Sequence, residues 1–123
     1  MEDWTIDPIL TDIHDLLYRL GVKATTQGFF ETSCAVFLVM QRPEGSWFSI
    51  MELYQKISMI YRTELPDVDP RIRRVIALIW KRNPGLLSRL AGHELQERPT
   101  PRRFIEIMRR YLFARKRRRG SPK

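Results

Sequence analysis

Helix-starting signals recur along this chain and constrain its fold more than any other feature of the sequence. Four times before the last three residues, a residue that commonly caps a helix is followed directly by proline, in Asp7-Pro8, Asp69-Pro70, Asn83-Pro84 and Thr100-Pro101. A capping side chain accepts from free backbone N–H groups, and proline suits the first helical position because its missing N–H would have no partner there. We therefore predict a helix at each of these four points.

The first half of the chain is predicted to form two helices. Apolar residues recur at helical spacing before Gly21, a favourable helix stop, and they are Ile9, Ile13, Leu16, Leu17 and Leu20. The segment from Gly28 to Gln41 is apolar on most sides and ends before Pro43, which predicts a second helix at the centre of the core. Cys34, the one cysteine, lies in this segment and is predicted to be a core residue without a disulfide.

Two further helices follow a loop over residues 42–48. Ser49 and Glu52 have the spacing of a capping box, which predicts a third helix to about Tyr61. Its inward residues are predicted to be Ile50, Leu53, Ile57 and Ile60. Residues 62–69 are predicted to turn, and Asp69-Pro70 to open the fourth helix. Its buried stripe is predicted to be Ile72, Val75, Ile76 and Ile79, with Arg71, Arg73, Arg74, Ala77 and Lys81 toward the other side.

The remaining pattern completes an all-helical prediction. A short fifth helix is expected to close at Gly92, and the apolar stripe of a sixth is expected to comprise Phe104, Ile107, Met108, Tyr111 and Leu112. We find no period-two strand pattern and no internal repeat. The sequence thus predicts an all-α fold, a compact bundle of about six helices. Residues 1–114 are expected to form one domain and residues 115–123 a flexible basic tail.

Charge is distributed unevenly along the chain. Of 123 residues, 22 are lysine or arginine and 14 are aspartate or glutamate, which gives a net charge of +8. Residues 1–42 carry three basic and six acidic side chains, whereas residues 43–123 carry nineteen and eight. This asymmetry indicates that the second half binds a polyanion, and a solvated basic surface is the alternative.

The third and fourth helices are the sharpest functional feature, and together they predict a helix-turn-helix from Ser49 to Arg82. A major groove admits one helix, and arginine can donate two hydrogen bonds to guanine. The residues predicted to contact base edges are Arg71, Arg73 and Arg74. Those predicted to contact phosphates are Lys56, Arg62, Lys81, Arg102 and Arg103. Two amphipathic helices with a solvated face are the alternative interpretation.

A second basic surface is predicted on the sixth helix. The pairs Arg102-Arg103 and Arg109-Arg110, with the tail, would add phosphate contacts. A solubilising tail without a ligand is the alternative.

Catalytic and metal-binding patterns are absent from the sequence. His14, His93 and Cys34 lack metal-ligand spacing, and the chain contains no glycine-rich phosphate loop. We therefore expect no enzyme, metal or cofactor, and His14 as a surface or boundary residue. The tryptophans Trp4, Trp47 and Trp80 are expected in core or boundary positions, so only Tyr54 and Tyr61 are candidates for base stacking.

No signal peptide or membrane span is recognised. The N-terminus, Met1-Glu2-Asp3, is acidic, and the apolar segment Phe29–Met40 contains Glu31 and is too short to cross a bilayer. We expect a reducing, cytoplasmic setting and no membrane partner.

The chain also resembles a known family, through short pieces spread in order along residues 10–113. These include Ile13–Ala24, Gly28-Phe29-Phe30, Leu53-Tyr54, Ile57, Ile72-Arg73, Ile76, Trp80, Gly92, Pro99-Thr100 and Phe104-Ile105. They are similar to the C-terminal effector domain of the master sporulation transcription factor of endospore-forming bacteria. The resemblance implies an all-helical domain that inserts the second helix of a helix-turn-helix into promoter DNA, in a bacterial, nucleoid-associated setting. It places Arg73 at a family recognition-helix arginine and Arg74 where histidine is usual.

Two departures from that family bear on function. Family members usually carry an N-terminal receiver domain, and this chain begins almost directly at the effector domain, which predicts no control by phosphorylation in cis. The first turn of the family's recognition helix is rich in arginine and polar residues, whereas this chain has Pro66, Asp67, Asp69 and Pro70. Carboxylates repel phosphates, and Pro70 predicts a helix that starts one turn later than in the family.

These observations lead to two functional hypotheses. The first is a sequence-specific transcriptional regulator that binds double-stranded DNA, with copies pairing as a homodimer or in tandem on DNA. The alternative is a protein-binding module on the same fold. It would have lost specific DNA reading and would act by pairing with a full-length relative or with transcription machinery.

Overall fold

The computed structural model describes residues 7–120 of the chain, so the predictions about Met1-Glu2-Asp3, Trp4 and residues 121–123 lie outside the described part. The described residues form six α-helices and no β-strand. The helices are α1 (Pro8–Arg19), α2 (Phe29–Met40), α3 (Ile50–Tyr61), α4 (Leu65–Arg82), α5 (Pro84–Ala91) and α6 (Pro101–Gly120). The prediction of an all-α fold with about six helices is confirmed.

Helix α2 forms the centre of the core, as predicted. It packs against α1, α3, α4 and α6. Nine of its twelve residues are buried, including Cys34. Burial, followed by the nearby charge of Glu31, raises the pKa of the Cys34 thiol to about 12, which makes it an inert core residue.

Two caps confirm the predicted starts of helices. The Asp7 carboxylate accepts a hydrogen bond from the backbone N–H of Ile9 at 2.8 Å, with Pro8 as the first helical residue. The Ser49 hydroxyl accepts from the backbone N–H of Glu52 at 3.2 Å, which is the serine half of the predicted capping box. These contacts satisfy backbone donors that have no partner inside the helix.

Helix α4 begins earlier than the Asp69-Pro70 signal predicts. Its first residue is Leu65, Pro66 lies in the first turn, and Pro70 lies inside the helix. The predicted opening at Asp69-Pro70 was therefore wrong, as was the long turn over residues 62–69. Pro70 removes one N–H that would donate to the carbonyl of Pro66. Val68 is fully buried, and burial of a valine side chain stabilises by about 1.5–3 kcal/mol, which offsets that loss.

Two apolar residues occupy different positions from those predicted. Ile60 was predicted to face inward, but 45% of its surface is exposed. The buried face of α3 follows four-residue spacing through Leu53, Ile57 and the half-buried Tyr61, which leaves Ile60 outside it. Trp47 was predicted in the core or at its boundary, but it is 69% exposed in the loop before α3, where the neighbouring Phe48 is buried instead.

Helix α6 is longer than expected. It was predicted to fray from Arg115, yet the helix continues to Gly120. Arg119 pairs with Asp12 of α1 at 2.6 Å, and Arg117 pairs with Glu44 in the loop before α3. These two ion pairs hold the last turns against the bundle. The proposed boundary between a domain ending at residue 114 and a tail stays a prediction.

Candidate nucleic-acid interface

Helices α3 and α4 are joined by a turn of three residues and pack against each other. Arg62 ends α3 in the left-handed region, with φ of 54°. The backbone N–H of Thr63 donates to the carbonyl of Ser58 at 3.0 Å. This short reversal gives α3 and α4 a fixed relation, which is the arrangement that a helix-turn-helix requires.

The two faces of α4 differ sharply in character. The buried face contains the predicted residues Ile72, Val75, Ile76 and Ile79, and also Val68. Arg73, Arg74 and Lys81 lie exposed on the outer side. The helix therefore anchors itself in the core by an apolar stripe and presents cations to solvent.

Arg73 is held by a network that joins α3 to α4. Its Nε donates to the Asp69 carboxylate at 2.6 Å, and the Tyr54 hydroxyl donates to the other oxygen of that carboxylate at 2.5 Å. Tyr54 is only 6% exposed, whereas the Arg73 side chain is 59% exposed. A buried phenol thus fixes a carboxylate, and the carboxylate fixes an exposed arginine.

The protonation states of Asp69, Arg73 and Tyr54 favour the hydrogen bonds between them. Burial raises the pKa of the Asp69 carboxyl, but hydrogen bonds from Tyr54 and Arg73, with the Arg73 charge, outweigh burial and hold that pKa below its usual range. The hydrogen bond to Asp69 raises the pKa of Arg73. Burial, then the bond to Asp69, raises the pKa of Tyr54, so its phenol stays protonated as the donor.

Arg71 and Arg74 flank Arg73 but have different surroundings. Arg71 Nη1 pairs with Glu31 of α2 at 2.8 Å, and the two side chains are 26% and 10% exposed. Arg74 is exposed, and its side chain makes no hydrogen bond or ion pair within residues 7–120. The base contact predicted for Arg71 stays a prediction, and its guanidinium already joins α4 to α2.

The residues predicted to contact phosphates fall into two groups. Lys56 on α3, Arg62 in the turn and Lys81 near the end of α4 are exposed. On α6, Arg103 is exposed and donates to His93 Nε2 at 2.9 Å, whereas Arg102 is half-buried. Arg102 donates to the carbonyl of Phe48 at 2.5 Å, so this residue holds the loop before α3.

Arg109 does not belong to the basic surface predicted for it. It is 1% exposed, and its Nη2 donates to the carbonyl oxygens of Pro43 and Ser46 at 2.9 and 2.8 Å. The same nitrogen donates to the Ser46 hydroxyl at 3.0 Å. The prediction of an exposed Arg109-Arg110 pair was therefore wrong for Arg109, because its charge is used to close the loop before α3.

The aromatic side chains are arranged differently from the predicted stacking platform. Tyr54 is buried and bonded to Asp69, so its candidacy for base stacking was wrong. Tyr61 is half-buried, and its hydroxyl donates to the carbonyl of Phe30 at 3.3 Å. Of the two tryptophans within residues 7–120, Trp47 is the exposed one, with the Arg102 guanidinium 5.4 Å from its ring centroid.

Neither a metal cluster nor a membrane span emerges from the described helices and loops. Across residues 7–120, no three histidine, cysteine or acidic side chains lie together in a way that could hold a metal ion. None of the helices in that range has the length and apolar character needed to cross a bilayer. His14 is half-buried and bonded to Ser33 at 3.2 Å, in the boundary position predicted.

Comparison with known families shows which functional class the chain belongs to. The family model for the C terminal of the sporulation initiation factor Spo0A matches residues 13–112. The chain belongs to this family. It is thus a DNA-binding transcription regulator domain and not an enzyme, and double-stranded DNA is its partner. No solved structure matches the chain.

The start of α4 and the contacts of Asp69 differ from what the sequence predicted. Because α4 begins at Leu65, the inference that Pro70 delays this helix by one turn was wrong. Asp69, interpreted as a repulsive carboxylate, is bonded to Arg73 and Tyr54. The four-residue spacing of Asp69 and Arg73 was a usable signal within one helix, but no local pattern marked Tyr54, fifteen residues away.

Proposed function

We propose that this member of the Spo0A C-terminal family is a sequence-specific transcriptional regulator that inserts α4 into the major groove and reads guanine with Arg73. The observation that carries the proposal is the bond from Arg73 Nε to the Asp69 carboxylate at 2.6 Å. Because Nε is occupied by Asp69, Nη1 and Nη2 remain as free donors on an exposed side chain. Two such donors match the O6 and N7 acceptors of guanine.

The buried end of the network supports a reading role for Arg73. An exposed arginine loses rotamer freedom when it binds a base, and that entropy opposes binding. Tyr54 and Asp69 hold the Arg73 side chain in place before DNA arrives, so less freedom remains to be lost. A bidentate contact of this kind contributes about 1–3 kcal/mol of discrimination against the wrong base.

The other cations are assigned by their surroundings. Arg74 has no intramolecular partner in the described chain and is proposed as the second base contact. Lys56, Arg62 and Lys81 are proposed to bind phosphates and to set the position of α4 without reading sequence. Lys81 is eight residues from Arg73, about 12 Å along the helix axis, so it would bind the backbone at the far side of the groove. Arg71 is assigned to its ion pair with Glu31.

A titration tests this function. Binding to promoter fragments and to random duplexes is measured over a salt series, with wild type, Arg73→Ala and Arg74→Ala. Wild type should prefer particular sequences and lose affinity steeply as salt rises. Each alanine variant should relax the preference at one base pair by roughly 5- to 150-fold, which corresponds to about 1–3 kcal/mol.

A charge-matched control separates base reading from loss of charge. Arg19→Ala removes an exposed arginine from α1 and should leave the sequence preference unchanged. Equal affinity of wild type for every duplex, with no change in preference on replacing Arg73 or Arg74, would show that α4 is not the reading helix.

One observation favours the protein-binding alternative. Helix α3 exposes three apolar side chains, Met51, Met59 and Ile60, at 52%, 76% and 45% of their surfaces. Exposed apolar side chains are suited to pairing with a second copy, with a full-length relative or with transcription machinery. Sedimentation velocity of wild type and Met59→Glu, with and without a duplex holding two tandem sites, tests it. If pairing is the function, wild type associates without DNA and Met59→Glu does not. If DNA reading is the function, association requires the tandem duplex.

A further inference from the structure

Six of the basic residues of α6 lie at a seven-residue interval, as the pairs Arg102-Arg103 and Arg109-Arg110 and as Lys116-Arg117 within the basic run 115–119. Seven residues are almost two helical turns, so corresponding members of the pairs share a face. Arg102 and Arg109 turn toward the loop before α3 and bond to its backbone. The second members of the three pairs line one groove of about 470 Å³ between the end of α5 and α6.

The charges in this groove do not cancel. Its carboxylates belong to Glu44 and Glu106, and both have arginine partners in Arg117 and Arg109. Arg103 donates to the ring of His93, and the side chain of Arg110 makes no hydrogen bond or ion pair within residues 7–120. Arg103 and Arg110 therefore have no carboxylate partner. Arg117 contacts Glu44 through Nη1 alone, so all three guanidinium groups retain N–H donors for an anion.

The groove is continuous with the face that presents Arg73. It shares Arg103 and Glu106 with a second depression, which is also lined by Trp47 and Arg102. That depression in turn shares Arg102 and Thr100 with a groove of about 540 Å³ beside Arg73, Asp69 and Tyr54. One surface thus leads from the reading arginine on α4 to the middle of α6.

Trp47 lies on this path and is 69% exposed. The Arg102 guanidinium rests 5.4 Å from its ring centroid, which restrains the ring at the surface. An exposed indole presents both an apolar face and an N–H donor. Those two properties suit contact with the sugar and phosphate of a nucleic-acid strand.

We propose that Trp47, Arg103, Arg110 and Arg117, here named the α6 track, bind the phosphate backbone of the DNA that flanks the segment read by α4. The proposal rests on the function proposed above. Arg103 and Arg117 are separated by about 21 Å along the helix axis, a length over which duplex DNA carries roughly twelve phosphate charges. Continuity with Arg73 favours DNA over an acidic protein, because a strand that leaves α4 on this side meets the track directly.

Two duplex lengths test the α6 track. The short duplex holds only the target site, and the long duplex extends it by about one helical turn on both sides. On the long duplex, Arg110→Ala should lower the slope of log affinity against log salt by about 0.9, the value for one phosphate contact in B-DNA. On the short duplex it should change nothing, and base preference should be the same on both.

Lys116→Ala is the matched control, because Lys116 is exposed and cationic on the same helix but lies on another face. It should leave the slope on the long duplex close to that of wild type. Trp47→Phe should reduce the fluorescence change that accompanies binding of the long duplex and leave that of the short duplex unaltered.

Failure of the track is distinguishable from failure of the proposed function. If Arg110→Ala lowers the salt slope no more than Lys116→Ala, or lowers it equally on both duplexes, the track does not bind flanking DNA. If wild type shows no sequence preference even on the short duplex, the reading function of α4 is wrong.

Discussion

Arg109 and Arg110 are neighbours of the same residue type with opposite roles. Arg109 is 1% exposed and donates to the loop before α3, whereas Arg110 is exposed with no side-chain partner in residues 7–120. Arg109 Nη1 lies 3.7 Å from a Glu106 oxygen, close enough for attraction between charges but too far for a hydrogen bond. Arg73 and Arg71 both have a carboxylate partner, but they differ in exposure: the Arg73 side chain is 59% exposed, whereas that of Arg71 is 26% exposed.

Replacing these two arginines should therefore give different results. Arg109→Ala removes charged donors from three acceptors in the loop before α3, and hydrogen bonds to charged groups contribute about 1.5–3 kcal/mol each. We expect Arg109→Ala to lower the free energy of unfolding by at least about 2 kcal/mol, measured by urea denaturation. Arg110→Ala should change it by less than about 0.5 kcal/mol, as is usual for exposed positions. Similar losses for both variants would contradict the structural role of Arg109.

At the level of elements, the site depends on where α4 crosses α2. Gly28 precedes α2 with φ of 98°, and a Cβ there would overlap the backbone carbonyl of Arg71. This close approach brings the Arg71 guanidinium to Glu31 and fixes the direction in which α4 leaves the core. At the other end of α4, Asn83 Nδ2 donates to the carbonyl of Leu20 at 2.8 Å and Arg82 donates to that of Gly21 at 2.7 Å. Helix α4 is thus held in its first half, at Arg71, and at its C-terminal end.

Two glycine substitutions test this crossing. Gly28→Ala introduces both left-handed strain and overlap with α4, so we expect a loss of more than about 2 kcal/mol in the free energy of unfolding. Gly85→Ala is the matched control, because Gly85 lies in helix α5 and nothing lies within 4 Å of the position of its Cβ. A helical alanine is favoured over glycine by about 0.5–1 kcal/mol, so this variant should be slightly more stable. Thermal unfolding measures the stability of both variants. If Gly28→Ala were as stable as wild type, the close approach of α2 and α4 would be contradicted.

At the scale of the whole molecule, the basic end of α6 contacts acidic residues from two earlier parts of the chain. The end of α6 reaches α1 through Arg119 and Asp12, and reaches the loop before α3 through Arg117 and Glu44. The side chains in these pairs are at least partly exposed, and surface ion pairs contribute about 0–1 kcal/mol each. The rest of the bundle is stabilised mainly by burial of apolar side chains around α2.

Truncation after Ala114 tests whether the last residues belong to the folded core. The shortened chain should fold and lose no more than about 2 kcal/mol in the free energy of unfolding, because it gives up the two exposed ion pairs. The slope of log affinity against log salt for long duplexes should become shallower, because several cations are removed. Circular dichroism during urea unfolding and binding titrations measure the two effects. Loss of the folded state on truncation would contradict a domain that ends at residue 114.

Local sequence patterns determined most helix starts and the buried faces. Caps, prolines and 3.6-residue periodicity act between neighbours, so α1, α2, α3, α5 and the start of α6 were predictable. The start of α4 was not predictable, because Asp69-Pro70 has the pattern of an N-cap followed by proline. Proline favours the first turn of a helix, but tertiary contacts can place it inside one. Burial of Val68 against the rest of the bundle decided that question.

For the charged residues too, the sequence determined some properties and the tertiary structure decided others. The sequence by itself determined that the second half is basic and that Arg73 and Arg74 lie on the outer side of α4, since charge and helical spacing are local properties. Only the tertiary structure decided which arginines are free. Tyr54 and Asp69, Arg71 and Glu31, and Arg109 and the loop before α3 are each far apart in the chain. Whether a basic side chain is free to bind DNA or is used to stabilise the fold depends on residues that contact it only after the helices pack.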